Sequence, residues 1–169
     1  LDLVYLDKSI IALRKAIRST RDKIADFAGE PLTSGQHKRI RELMFEKLGL
    51  KLEKCDAPTL RTINHEFPKT ITLLRSLEKW YTTYLIQYKR LNNNGRIHPT
   101  YSQTGTLTGR LSSNMHQFPK AGIADADGNE IFNQRKLIIP TKADTGYNNI
   151  IYFDFSQMEL RELADYTIR

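Results

Sequence analysis

The chain has 169 residues, a formal net charge of +7, 40% hydrophobic residues and 27% charged residues. These are the proportions of a soluble protein with a real core, and the length fits one ordinary domain or two small pieces of a larger protein. No apolar run approaches the ~20 residues of a membrane span, and a single cysteine, Cys55, excludes an internal disulfide and a multi-cysteine zinc site.

The chain opens on "LDLVYLD", with no signal-peptide pattern and no methionine, so a trimmed, processed or internal start is expected. A reduced, intracellular setting fits the cysteine usage, and no membrane partner is expected. Leu6, Ile10, Leu13, Ile17, Thr20, Ile24 and Phe27 follow a 4, 3 alternation, which predicts a long helix with one apolar seam. Gly29 and Pro31 end it. Thr70, Leu74, Leu77, Tyr81, Tyr84, Tyr88 and Leu91 repeat the alternation, and "NNNG" at 92–95 stops this second helix with turn residues. Two matching seams predict an antiparallel pair, spanning about 3–28 and 69–92, with a tip at 30–68 inserted between them. The tip contains "QHKRIRELMFEKLG", with Ile40, Leu43, Met44 and Leu48 on one side, and a second short helix is expected near 58–65.

After Gly95 the pattern changes. "RIHPTYSQTGTLTGRLSS" is rich in Thr, Ser and Gly and reads as short strands and turns. "DADGNE" at 125–130 is a hairpin signal at Asp127-Gly128. "KLIIP" and "NNIIYFDF" read as strands, and "SQMELRELADYTIR" opens a helix. The expected class is therefore α+β, helical first and mixed second.

Residues 86–142 carry eight Lys or Arg against three acids, in a segment rich in Asn, Gln, Ser and Thr. Basic charge beside short polar donors suits a phosphate backbone; a solvated basic face is the plainer reading. "DADGNE" is not a calcium loop, because Gly128 stands at its fourth position and Lys136 at its twelfth. His37, His65, His98 and His116 lack metal-ligand spacing, and no nucleophile elbow or Walker-type loop is present. Gly105 and Gly109 in "TGTLTGRL" permit close backbone approach to a ligand.

Asp154 ends an apolar strand in which Ile151, Phe153 and Phe155 face one way and Ile150, Tyr152 and Asp154 the other. An ionised acid there needs solvent, a partner or a metal. Ser156 and Glu159 form S-x-x-E, a helix capping box. The cap accounts for Ser156 and Glu159 but not for Asp154, and a strand-end carboxylate beside a helix start is a place to hold Mg²⁺ for phosphate chemistry. Both readings stay open on the residues alone.

The motifs taken together resemble a known family. "FDFSQMELR", 153–161, resembles the first catalytic motif of family A DNA polymerases, D-Y-S-Q-I-E-L-R. "GRIHPTYSQTGTLTGRLSS", 95–113, is similar to that family's G-R-I-H-T-x-F-N-Q-T-x-T-x-T-G-R-L-S-S, and "NMHQFP", 114–119, to its N-L-Q-N-I-P. "QRKLIIP" matches more loosely, and "LMFEKLGL" resembles the family's thumb sequence. The resemblance implies an antiparallel helical thumb with a small tip over 1–94, and over 95–169 the first part of an antiparallel-sheet palm.

It also implies roles. Asp154 would bind both catalytic Mg²⁺ ions, and the Phe155 carbonyl would also bind metal. Phe155, Ser156, Gln157 and Glu159 would line the site of the incoming dNTP, with Glu159 excluding a 2′-hydroxyl. Arg110 would reach the minor groove of the primer-template DNA, where an acceptor is present in every base pair and pairing can be tested without reading sequence. Gln103, Thr108, Asn114, Gln117 and Arg135 would lie along the DNA, with Lys38 near a tip phosphate. The chain departs from the family at Phe155, where Tyr is usual, and at His116-Gln117, where Gln-Asn is usual. The segment between "LSS" and "NMHQFP" is also about three residues short. The family's fingers helix and its last palm motif, His-Asp-Glu, have no counterpart in the 169 residues. The expectation is a split or fragment polymerase, from a bacterial or phage-infected cell, that needs a second polypeptide or downstream segment. The competing expectation is a non-catalytic DNA-binding or assembly subunit on a polymerase-like scaffold.

Overall fold

The computed structural model describes residues 1–115, 119, 121–140, 146, 149–151, 153 and 155–168. They form two compact units, Leu1–Ile138 and Ile139–Arg169. The class is α+β: long helices followed by small antiparallel sheets.

Helix α1 spans Leu3–Ala28. The Asp2 carboxylate caps its start by accepting from the Tyr5 N–H at 2.8 Å. Gly29 closes it in the left-handed region (φ 80°), donating to Ala25 O at 2.7 Å. Leu6, Ile10, Leu13, Ile17, Thr20 and Ile24 are buried as the spacing predicts, and Phe27 is half-buried. The second long helix runs through α4 (Glu66–Lys79), a π-helical turn (Trp80–Leu85) and α5 (Ile86–Leu91). The pair is antiparallel. Phe27 stacks on Phe67 at 4.3 Å, Arg21 meets Glu78 at 2.7 Å, Arg14 meets the Tyr81 hydroxyl at 2.8 Å, and Asp7 meets Lys89 at 3.5 Å.

The π-helical turn corrects the second seam. Ile86 N–H donates to Tyr81 O, five residues back, so this turn holds an extra residue. The buried positions are Phe67, Pro68, Ile71, Leu74, Leu77, Leu85 and Tyr88; Leu85 is fully buried where the regular spacing selects Tyr84, and Tyr81 and Tyr84 are half-buried.

The tip holds α2 (His37–Leu48) and α3 (Ala57–Arg61). Ile40, Leu43, Met44 and Leu60 are buried there with Leu32 and Cys55. Arg75 of α4 ties the tip to the long helix, donating to Ser34 O at 3.1 Å and Cys55 O at 2.6 Å.

"NNNG" stops α5 by folding into a hairpin. Strands β1 (Asn92–Asn93) and β2 (Arg96–Ile97) pair across Asn94-Gly95, whose φ values of 49° and 79° are those of a type I′ turn. Strands β3 (Tyr101–Ser102) and β4 (Ser112–Ser113) pair next, and β5 (Ile123–Ala124) pairs with β6 (Glu130–Phe132) around Gly128, φ 85°. The expected hairpin at "DADGNE" is present. Its Asp125 carboxylate accepts from the Asn129 and Asp127 N–H groups at 2.9 and 3.0 Å, and the Asn129 bond above all holds it below the usual aspartate range. Phe132 is fully buried between Tyr5 and Trp80, with ring centroids at 5.7 and 5.8 Å. Residues 123–137 thus dock on the start of α1, where Asp2 N–H also donates to Leu137 O at 2.9 Å.

"KLIIP" is not a strand. Asn133 Oδ1 accepts from the Arg135 N–H at 3.1 Å and caps a short helix α6 (Gln134–Leu137), which buries Leu137. In the second unit, the described residues of 148–155 form no strand, and Asp154 lies outside the described residues. Helix α7 spans Met158–Ile168. Its first bond runs from Arg161 N–H to Gln157 O at 3.1 Å, so Gln157 occupies the cap and Ser156 stands one residue before it. The expected Ser156–Glu159 capping box is therefore out of register by one residue.

Candidate nucleic-acid interface

The residues expected to meet DNA in the first unit fall into two groups. Near the base of the helix pair, the segment between β3 and β4 projects into solvent, leaving Gln103, Thr108 and Arg110 exposed. Its shape is local: Thr106 Oγ1 donates to Arg110 O at 2.8 Å, and Gly109 turns at φ 70°. Gly105 sits so close to β4 that a Cβ there would lie 2.5 Å from Ser112 Oγ. Asn114 uses Oδ1 to accept the Thr100 N–H at 3.1 Å, which leaves its NH₂ with two donors.

Asn114 lines an open groove with Ser113, Met115 and the second long helix. From that helix come Lys79, Thr83 and Gln87, spaced four apart on one face. Tyr88 is buried beside them, and burial together with Tyr84 pushes its phenol above the usual tyrosine range. Lys79, Thr83 and Gln87 were not among the sequence candidates. The signal was their i, i+4, i+8 polar spacing opposite the apolar seam; what the spacing does not contain is Asn114 arriving from a separate hairpin.

The other group is at the tip. Lys38 is exposed in the first turn of α2 and lines a shallow groove with Gln36, His37 and Arg41. Arg39 is taken up by Glu30, Glu42 and Glu46 at 2.6, 3.3 and 3.2 Å, and the Glu30 bond chiefly raises its pKa. Lys38, and Arg41 whose Nη1 donates only to the Glu53 carbonyl at 2.6 Å, are the cations of this groove with no acid partner among the described residues. The tip and base groups are separated by most of α1, whose 26 residues span about 39 Å at ~1.5 Å per residue. Arg135 is exposed on α6 at the base end. Gln117 lies outside the described residues.

The second unit carries Phe155, Ser156, Gln157 and Glu159, all exposed, with Gln157 at φ 52°. Ile151 and Phe153 are exposed too, and no described residue of this unit is buried. No cluster of three His, Cys, Asp or Glu side chains occurs among the described residues. Among them, also, no helix is long and apolar enough to cross a membrane.

Residues 4–168 match the model of a family described as DNA polymerase family A. The chain is 28% identical over 177 residues to a DNA polymerase I, thermostable, of Thermus thermophilus, covering 97% of this chain and 20% of that protein. It is 32% identical over 163 residues to a DNA polymerase I of Caldicellulosiruptor bescii, covering 90% and 18%, and 28% identical over 173 residues to a DNA polymerase I of Helicobacter pylori, covering 99% and 19%. The chain spans about a fifth of the length of these relatives.

Proposed function

The chain is a member of DNA polymerase family A, and from that premise we propose that it supplies the thumb and the first catalytic segment of a DNA-directed DNA polymerase. Residues 1–94 are the thumb, and 95–169 are the first part of the palm. The observation that carries this reading is the in-order match over residues 4–168, which includes the two segments holding Arg110 and Asp154. The geometry supports it: the two polar groups are separated by most of α1, a length on the order of one turn of duplex, ~34–36 Å.

In this reading Lys38 holds a backbone phosphate, while Arg110, Gln103, Thr108, Asn114, Gln117 and Arg135 follow the primer and template. Lys79, Thr83 and Gln87 join them through their groove with Asn114. The donors proposed for Mg²⁺, the Asp154 carboxylate and the Phe155 carbonyl, are the hard oxygen ligands that ion takes. Two bound Mg²⁺ ions would supply charge neutralisation at the attacking and leaving oxygens of phosphoryl transfer. Two protein donors do not complete a six-coordinate shell, so phosphate, water and a second carboxylate are needed. That carboxylate, with the fingers, comes from a second polypeptide or a downstream segment. Phe155, Ser156, Gln157 and Glu159 line the dNTP site.

Primer extension tests this. The 169-residue chain alone is expected to give no Mg²⁺-dependent synthesis, and addition of a family A fragment bearing the fingers and His-Asp-Glu motif is expected to restore it. Robust synthesis without the added fragment sinks the split-site reading. Primer-template binding with no synthesis in any combination favours a DNA-binding or assembly subunit instead. In the restored enzyme, Glu159→Ala removes the group proposed to exclude a 2′-hydroxyl. Ribonucleotide incorporation should rise about 10–200-fold, the range of a pocket-shape discrimination; unchanged sugar selection removes Glu159 from that role.

A further inference from the structure

A second groove lies on a different flank of the helix pair from the one that holds Asn114. It runs between α1 and the π-helical turn, lined by Arg14, Arg18 and Arg21 on one side and Tyr81 and Thr82 on the other. The three arginines recur at 4 and 3 residues and therefore share one face of α1. They cover about 10 Å of helix at ~1.5 Å per residue. Lys15, Ser19 and Lys23 lie on another flank of α1, toward Asp125 and Asp127.

Each arginine keeps donors for an outside ligand. Arg14 uses Nε on the Tyr81 hydroxyl at 2.8 Å, and its guanidinium lies 5.4 Å from the Tyr81 ring centroid. Arg21 uses one Nη on Glu78 at 2.7 Å, and that carboxylate also accepts from the Ser34 hydroxyl. Arg18 is exposed and has no partner among the described residues. A guanidinium has five N–H donors, so Arg14 and Arg21 remain competent for phosphate. Asp22 is the acid on the rim that no described cation engages.

We propose that this groove is a second nucleic-acid site and that it takes an unpaired single strand. Its walls are two packed helical segments, α1 and the π-helical turn. It combines the two features of single-strand sites: a line of cations that tracks phosphates, and an aromatic ring, Tyr81, beside them on which a base can stack. Tyr81 stands in the π-helical turn and is half-buried, so its ring reaches this rim.

The test is fluorescence anisotropy on the 169-residue chain, with labelled 20-nucleotide oligo(dT) and a blunt hairpin duplex as separate probes. The triple variant Arg14→Gln, Arg18→Gln, Arg21→Gln is expected to lose at least about tenfold in oligo(dT) affinity. Its log K against log salt slope should become shallower by about 2, three phosphate contacts at ~0.7 each. Duplex affinity should stay within twofold. Arg18→Glu, at an exposed side chain with no described partner, gives the same direction without disturbing the Tyr81 or Glu78 contacts. Asp22→Asn should tighten oligo(dT) binding, since it removes a charge that repels phosphate. The proposal is overturned if wild type does not bind oligo(dT), if both arginine variants bind it as wild type does, or if duplex affinity falls in parallel. It is equally overturned if Lys15→Gln with Lys23→Gln produces the same loss, because general charge would then suffice.

Discussion

Asp154→Ala, in the enzyme restored with its fingers-bearing fragment, is expected to lower primer extension by at least about 10³-fold while primer-template affinity changes less than threefold. Metal-held charge stabilises phosphoryl-transfer transition states by several kcal/mol, and each ~1.4 kcal/mol is tenfold in rate. Binding is spared because the contacts proposed for the duplex are made by other side chains: Lys38 at the tip and Arg110, Gln103 and Asn114 near the base of the helix pair. A loss made only in the transition state lowers kcat and kcat/KM together, so single-turnover extension at saturating DNA is the measurement. Extension within tenfold of the unaltered enzyme would remove Asp154 from the metal site. An equal loss of DNA affinity would make it a folding or binding residue instead.

Phe132→Ala should destabilise the first unit by about 3–5 kcal/mol, the usual range for truncating a buried aromatic. Phe132 is fully buried and stacks on Tyr5, with Trp80 set edge-on against it. Both ring contacts add to the area it removes from water. The Tyr5 hydroxyl, next to the space this would leave, accepts from the Asn133 N–H at 2.8 Å, so the cavity would also loosen the cap of α6. For a chain of this size the thermal midpoint should fall by on the order of 10 °C. Phe132→Leu keeps most of the volume and should cost clearly less. A melting point for the alanine variant within 2 °C of the parent would mean that 123–137 is not docked on α1 as a cooperative part of the unit.

Much of the fold was legible because its determinants are short-range. The seam of α1, its Gly29 stop, the tip helix around Ile40 and Met44, and the Gly128 turn depend on side chains within a few residues of one another. The motifs around Arg110 and Asp154 were equally readable as strings, and they led to the family. The departures come from features that periodicity and composition do not record. Leu85 displaces Tyr84 from the core because a π-helical turn inserts one residue, and nothing in a 4, 3 repeat encodes that insertion. "KLIIP" has the composition of a strand, but Asn133 caps a helical turn there and Leu137 is held by Asp2 from the other end of the chain.

The same division holds for the candidate sites. Residue types and local spacing by themselves determined which side chains could do the chemistry: Asp154 as a carboxylate beside a helix start, Glu159 near it, and Arg110 in a glycine-bounded loop. Only the tertiary structure brought Asn114 from a hairpin to Lys79, Thr83 and Gln87 on a helix, and set Tyr81 against the arginines of α1. The physical reason is that a helix face or a turn is specified by neighbours within about one helical turn, as the 3.6-residue period requires. A groove needs two elements to meet, and where they meet is decided by the burial of residues such as Phe132 and Leu85, which no local repeat records.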